Sequence, residues 1–105
     1  MTTEAIIEIL RRACTERKVC KLHKKGEPED RIVNPHGVHH SKNKDLVLVC
    51  IQVSGYSKSK NRSLYRNLAI QDFESVEMLS RTFTIDKDFN PDDDQYGEWL
   101  FHVLE

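Results

Sequence analysis

The spacing of apolar residues changes from a helical period to a strand period at about residue 18. Four apolar residues recur with the spacing of one helix face: Ile6, Ile9, Leu10 and Ala13. This spacing predicts a helix over residues 3–17, and Thr2 or Thr3 is placed to cap its first turn. From residue 18 onward, short apolar stretches alternate with turn-forming Gly, Pro and Asn, which is typical of strands joined by tight connections.

The strongest predicted strand covers residues 45–55, where the apolar run LVLVCI would be buried on both faces of a sheet. A second strand is predicted at 31–35, ended by Pro35 because proline cannot donate to a sheet ladder. Residues 71–85 predict a turn or helical corner followed by a strand. The other predicted strands cover residues 18–25 and 62–70.

Several short strands after one helix, with local connections, predict a mainly β fold: a small curled antiparallel sheet or barrel with an N-terminal helix. We expect a single domain over residues 1–105, with its β core at about 18–86 and an acidic tail at 87–105. Asn90 or Asp92 could cap a short helix in this tail. That helix would present three apolar residues: Trp99, Leu100 and Val103.

The composition favours a cytoplasmic protein that is not an enzyme. No apolar run approaches the roughly 20 residues that span a bilayer, and no basic stretch precedes an apolar leader. The three cysteines are an odd number without CxxC spacing, so we expect small buried thiols and no disulfides. No catalytic or cofactor-binding motif is present, so we expect no cofactor.

The net charge of −1 conceals a strong asymmetry along the chain. Residues 1–66 carry 14 Lys and Arg against 7 Asp and Glu, a balance of +7. Residues 67–105 carry 2 against 10, a balance of −8. The basic part suits phosphate or nucleic acid, whereas the acidic part would repel them or face the basic part in the fold or a dimer.

Three histidines cluster within five residues: His36, His39 and His40. On a strand, His39 and His40 would point to opposite faces, and no HExxH helix is present. We therefore predict histidines at the surface beside a strand entry, with no metal site. The alternative is a zinc site completed by His23, His102 or a cysteine.

The acidic segment begins like a calcium loop, with Asp86, Asp88 and Asn90 at alternating positions. A calcium loop then needs glycine at its sixth position and glutamate at its twelfth, and this chain has Pro91 and Gly97 there. The segment is predicted to be a solvated turn without calcium.

The stretch SGYSKSKNRSLYR interleaves tyrosines with cations. Aromatic rings can stack on nucleobases while cations neutralise phosphates, although a solvated hairpin tip has the same composition. The candidate ligand or nucleic-acid contacts are Arg31, Tyr56, Arg62, Tyr65 and Arg66.

The order of these parts resembles the WYL domain family over roughly residues 4–90. The resemblance rests on the segment RIVNP (residues 31–35) before the core strand, and on Leu46–Leu48 at the family's signature triplet. It implies a small Src-homology-3-like or Sm-like barrel that senses an anionic ligand or binds nucleic acid. The chain would be a divergent, stand-alone member, because Ala69 and Asp72 replace the arginines that the family uses for binding.

The sequence therefore leaves two alternative hypotheses for the function. The first is a regulatory module that binds an anionic ligand, a nucleotide or single-stranded nucleic acid. The second is a protein-interaction module that pairs through an edge strand, with a regulatory partner or as a homodimer. Salt dependence separates them, since nucleic-acid binding weakens steeply with salt.

Overall fold

The computed structural model describes residues 1–57 and 65–104, which form one α-helix, one short 3₁₀-helix and six strands. The α-helix is α1 (Thr3–Glu16), and the 3₁₀-helix covers Ile70–Asp72. The strands are β1 (Lys18–Lys24), β2 (Arg31–His40), β3 (Leu46–Gly55), β4 (Tyr65–Ala69), β5 (Phe73–Thr82) and β6 (Glu98–His102). The prediction of a mainly β chain with an N-terminal helix is confirmed.

All strand pairings are antiparallel, and the sheet order is β4-β3-β2-β1-β5, with β6 added on β2. Within the described residues β4 and β5 do not pair, so the sheet is not closed. These two edge strands are nevertheless joined by the three-residue turn Ile70–Asp72. Such a link spans at most about 14 Å, so the sheet must curl enough to bring the end of β4 within that distance of the start of β5.

The helix covers one face of the curled sheet, which we call the inner face. Thr2 caps α1 by accepting a hydrogen bond from the Ala5 amide at 3.1 Å. The buried stripe of α1 packs against side chains from five strands and the 3₁₀ turn. This core contains Ile6, Leu10, Ala13, Cys20, Leu22, Val33, Val38, Leu48, Cys50, Leu68, Ile70, Phe73 and Val76.

Strand β2 is longer than predicted, because it continues through Pro35 to His40. One edge of β2 pairs with β3 over its whole length. The other edge pairs first with β1 and then, from Gly37 onward, with β6. Pro35 lies at the change of partner, next to an irregularity in the register with β3. A proline is tolerated there because a strand bulge leaves one backbone amide unneeded.

The predicted C-terminal helix is wrong, because Trp99 and Leu100 lie in strand β6. The candidate cap Asn90 forms an isolated Asx turn instead, because its Oδ1 accepts from the amide of Asp92, the other candidate. Asp93 forms a second such turn, in which its Oδ1 accepts from the Gln95 amide. Such local bonds compete with helix formation. The alternation Glu98-Trp99-Leu100-Phe101 then suits a strand that pairs with β2.

Residues 83–97, which we call the covering segment, lie against the outer face of the sheet. Their aromatic rings pack with β2 and β6 in a cluster of His36, His39, Phe83, Phe89, Tyr96, Trp99 and His102. In the described part of the chain, no helix is long and apolar enough to cross a membrane.

Candidate functional site

Arg31 is turned inward at the start of β2 and is only 4% exposed. Its guanidinium donates to both carboxylate oxygens of buried Glu27, from Nε to Oε1 at 2.9 Å and from Nη2 to Oε2 at 2.7 Å. This hydrogen-bonded pair raises the pKa of Arg31, although burial opposes the effect. An external anion would have to displace Glu27, so Arg31 serves the fold at this position.

The same arginine is linked through Gln52 to Tyr56, just beyond the end of β3. Its Nη1 donates to Gln52 Oε1 at 3.0 Å, and Gln52 Nε2 donates to the Tyr56 carbonyl at 2.7 Å. The guanidinium carbon lies 5.9 Å from the centre of the Tyr56 ring, which is within cation–π range. Of the five predicted site residues, Arg31 and Tyr56 are therefore brought together.

Tyr65 and Arg66 are successive residues of β4, so their side chains leave opposite faces of the sheet. Tyr65 lies on the outer face, where its hydroxyl donates to Asp86 Oδ2. Arg66 donates to the Tyr65 carbonyl at 2.9 Å and to the Ser57 hydroxyl at 3.5 Å. The sheet thus separates Tyr65 from Arg66, and Arg62 lies outside the described residues.

The prediction of surface histidines is wrong for His36 and His39, which are 0% and 5% exposed. His36 Nδ1 lies 3.0 Å from the Asn34 carbonyl, and its Nε2 lies 3.1 Å from the Asp86 amide. Burial lowers the pKa of His36 despite the neighbouring Asp86 charge. The His36 ring is held against the covering segment through the Asp86 amide, a partner 50 residues away in the sequence.

His39 lies on the outer face, since its neighbour Val38 is in the inner core. Its Nδ1 is 3.0 Å from the Gly97 amide and 3.3 Å from the His40 carbonyl. A nitrogen cannot accept from one group and donate to the other at once, and the shorter contact assigns Nδ1 as an acceptor from Gly97. Burial lowers the pKa of His39 as well.

An open cleft of about 490 Å³ crosses the outer face beside the covering segment. Its volume falls within the roughly 300–1,000 Å³ of small-molecule sites. Strands β1, β2, β3 and β5 and the start of the covering segment contribute to it. The lining residues are Val19, Asn34, Val53, Ser54, Arg81, Thr82, Phe83 and Thr84.

The cleft combines one cation with polar and apolar groups. Arg81 supplies the positive charge, and Ser54, Thr82 and Thr84 supply hydroxyls. Within the described residues, the buried Asn34 Oδ1 accepts no hydrogen bond. Buried amide oxygens normally have a partner, so a polar residue at this point of a central strand is costly to the fold.

The sequence reasoning missed both Asn34 and Arg81. A signal was available for Asn34: a polar residue between Val33 and Pro35 in a buried strand must face away from the core or be paired there. Arg81 could not be found in this way, because it joins the cleft only through the pairing of β5 with β1.

In residues 1–57 and 65–104, no three His, Cys, Asp or Glu side chains converge as ligands for a metal ion. The arrangement thus offers binding groups: one guanidinium, three hydroxyls and an amide around an open cleft. Comparison of the chain with models of protein families, with curated proteins and with solved structures gave no match.

Proposed function

We propose that this domain is a non-enzymatic binding module that takes a nucleotide or a short single-stranded nucleic acid in the outer-face cleft. The observation that carries the proposal is the cleft itself, with Arg81 and three hydroxyls around a floor that contains Asn34. A phosphate can pair with Arg81 and accept from the hydroxyls. Sugar and base offer donors and acceptors that suit an amide side chain.

The sequence around the cleft favours an anion. Val53 and Ser54 line the cleft and lie just before the stretch SKSKNR (residues 57–62), which carries three cations. The acidic residues of the covering segment follow Thr84 in the sequence, and Asp86 is engaged by Tyr65. Arg81 is the cation that lines the cleft among the described residues.

Fluorescence anisotropy with short labelled single-stranded DNA and RNA, across a salt series, tests the proposal. We expect micromolar binding that weakens as salt increases, because phosphate contacts release counterions. Arg81→Gln should weaken binding and reduce the log–log salt slope by about 0.7–1, the loss of one phosphate contact. Absence of binding at about 50 mM salt would overturn the proposal.

Two matched variants remove the same charge elsewhere. Arg12→Gln changes an exposed helix residue that pairs with Glu16, and it should leave affinity unchanged. Arg66→Gln tests a different surface, the one beside Tyr56 and Arg31. If Arg66→Gln weakens binding and Arg81→Gln does not, the ligand site lies beside Arg66 and the cleft assignment fails.

A protein-interaction module is the second candidate, and the open sheet favours it. In the described residues the outer edges of β4 and β5 have no strand partner, and an unpaired edge can accept a strand from a regulatory protein or a second copy. Salt-insensitive self-association in analytical ultracentrifugation, without nucleic-acid binding, would favour this candidate.

We also propose that the fold is a divergent Src-homology-3-like or Sm-like barrel of the WYL type, acting in the cytoplasm. Supporting features are the leading helix, the change of partner of β2 from β1 to β6, and the three-residue link between the two edge strands. A crystal structure in which the edges of β4 and β5 diverge would contradict the barrel assignment.

A further inference from the structure

The covering segment is held on the outer face by a small set of backbone contacts. At its start, the Phe83 amide donates to the Arg17 carbonyl at 2.9 Å. The Asp86 amide then donates to His36 Nε2 at 3.1 Å, and at the far end the Gly97 amide donates to His39 Nδ1 at 3.0 Å. Two imidazoles of β2 therefore accept hydrogen bonds from backbone amides near the two ends of this segment.

His36 can make its two contacts in one protonation state. Its Nδ1 must carry the proton to donate to the Asn34 carbonyl, which leaves the Nε2 lone pair for the Asp86 amide. Adding a second proton would place an N–H of the ring against the N–H of Asp86. The ring also stacks on Phe83 with centroids 5.3 Å apart, so water cannot easily solvate an added charge.

His39 also makes its contact with the covering segment only when the ring is neutral, but in the other tautomer. Its Nδ1 accepts from Gly97, so its proton lies on Nε2. The ring is in edge contact with Tyr96 and Trp99, with both centroid distances at 5.3 Å. Protonation would replace an acceptor with a donor and would bury a cation in an aromatic pocket.

Few charges near the two rings compensate for an added proton. The Asp86 carboxylate faces His36 and favours its charged form, but it also accepts from the Tyr65 hydroxyl and the Asp88 amide. The Cys14 thiol of α1 reaches the Pro35 carbonyl next to His36. Among the described residues, the ionisable groups around His39 are His40, Tyr96 and, across Trp99, His102.

We propose that His36 and His39 form a pH-sensitive clasp, which holds the covering segment on the sheet while both rings are neutral and releases it on acidification. Burial lowers the pKa of both rings below their ordinary value of 6.5. The clasp is therefore closed above about pH 6.5, where released histidines are neutral too, and it loosens as the pH falls below that value.

The clasp also regulates the cleft, and this part of the inference rests on the proposed function. Phe83 and Thr84 form one wall of the cleft and begin the covering segment. Phe83 is in contact with the His36 ring, so release at His36 removes support from this wall. A ligand that needs the wall should bind more weakly under acid conditions, because the competent state is less populated.

Hydrogen exchange of the whole chain from about pH 8 to about pH 5, corrected for the intrinsic rate, tests the clasp. We expect the Asp86 and Gly97 amides to lose protection against exchange at low pH. The loss should be about tenfold for each unit by which the pKa of the bonded histidine is higher in the released state than in the closed state. Amides between β2 and β3 should stay protected. Unchanged protection of Asp86 and Gly97 at about pH 5 would overturn the clasp.

The double variant His36→Gln/His39→Gln removes the protonation and should abolish the pH response of the covering segment. His40→Gln, on the same strand, is the control and should keep the response. Since the double variant could fold poorly, imidazole titration by NMR in the unmodified chain gives an independent test. Titration of both rings at or above about pH 6.5 would overturn the clasp.

Anisotropy with the labelled single-stranded DNA at both pH values separates the two proposals. Release of the covering segment on acidification, with no binding of labelled single-stranded DNA or RNA at either pH, would overturn the proposed function and support the clasp. DNA binding that depends on Arg81, with a segment that stays protected at low pH, would overturn the clasp alone.

Discussion

At the scale of single residues, a buried ion pair defines the beginning of β2. Arg31 and Glu27 have side chains that are 5% and 1% exposed, and Lys24 lies 3.8 Å from the same carboxylate. A buried ion pair of this kind adds little to the free energy of unfolding compared with well-packed apolar residues. Removal of one partner is nevertheless costly, because the other charge is left unpaired in the interior.

Glu27→Gln should therefore lower the free energy of unfolding by about 3–5 kcal/mol, because Arg31 would remain buried without a counter-charge. Urea denaturation followed by the fluorescence of Trp99 measures the change. The control is Glu77→Gln in the exposed Lys21–Glu77 pair, for which we expect about 0–1 kcal/mol. Equal losses in both variants would show that the Arg31 charge is solvated.

Asn34→Val should stabilise the fold and weaken ligand binding. The variant removes a buried oxygen that accepts no hydrogen bond among the described residues, which is worth about 1–3 kcal/mol. A β-branched side chain also suits a central strand. Thermal denaturation and anisotropy are measured on the same preparation. A loss of stability in this variant would show that Asn34 has a structural partner.

At the scale of elements, β2 is the strand on which the other parts of the fold depend. It pairs with β1, β3 and β6, it meets α1 through Val33 and Val38, and its histidines hold the covering segment. Strand β6 passes very close to β2 at Gly37. A Cβ atom at this position would lie 2.6 Å from the Trp99 ring and 2.9 Å from His102 Cβ.

Gly37→Ala should push β6 away from β2 and cost about 1–3 kcal/mol through overpacking. Trp99 should move into a more polar environment, which its fluorescence emission reports as a red shift. Ser75→Ala, in the exposed part of β5, is the control and should change neither stability nor emission. Unchanged emission in Gly37→Ala would show that β6 is free to adjust.

At the scale of the whole molecule, the three cysteines are free, buried thiols, one on α1 (Cys14) and two on the strands β1 and β3 (Cys20 and Cys50). Burial raises the pKa of Cys20 and of Cys50 to about 12, and it raises the pKa of Cys14 as well. Thiolates are the reactive form, so these groups are inert while the fold is intact.

The thiols should therefore react with a disulfide reagent only when the chain unfolds. We expect the urea midpoint of labelling to coincide with that of the Trp99 signal, and added reductant to leave the melting temperature unchanged. Rapid labelling of a thiol in the native protein would show that α1 separates from the sheet by local opening.

Local rules predicted much of the fold. The helix predicted at residues 3–17, with Thr2 or Thr3 as its cap, agrees with α1, which Thr2 caps and which ends one residue earlier. The apolar run at 45–55 agrees with the interior strand β3, and the helical corner before a further strand is the 3₁₀ turn ahead of β5. The predicted C-terminal helix failed because its candidate cap Asn90 bonds locally to the Asp92 amide and β2 offers a pairing edge to β6.

The sequence by itself determined the helix, most of the strands and the mainly β class, because periodicity and capping act over a few neighbouring residues. Only the tertiary structure decided which polar residues are buried. Arg31 depends on Gln52, and His36 depends on Asp86, partners that lie 21 and 50 positions away. Burial and pairing at such separations follow from strand order and from the curl of the sheet, which no local pattern encodes.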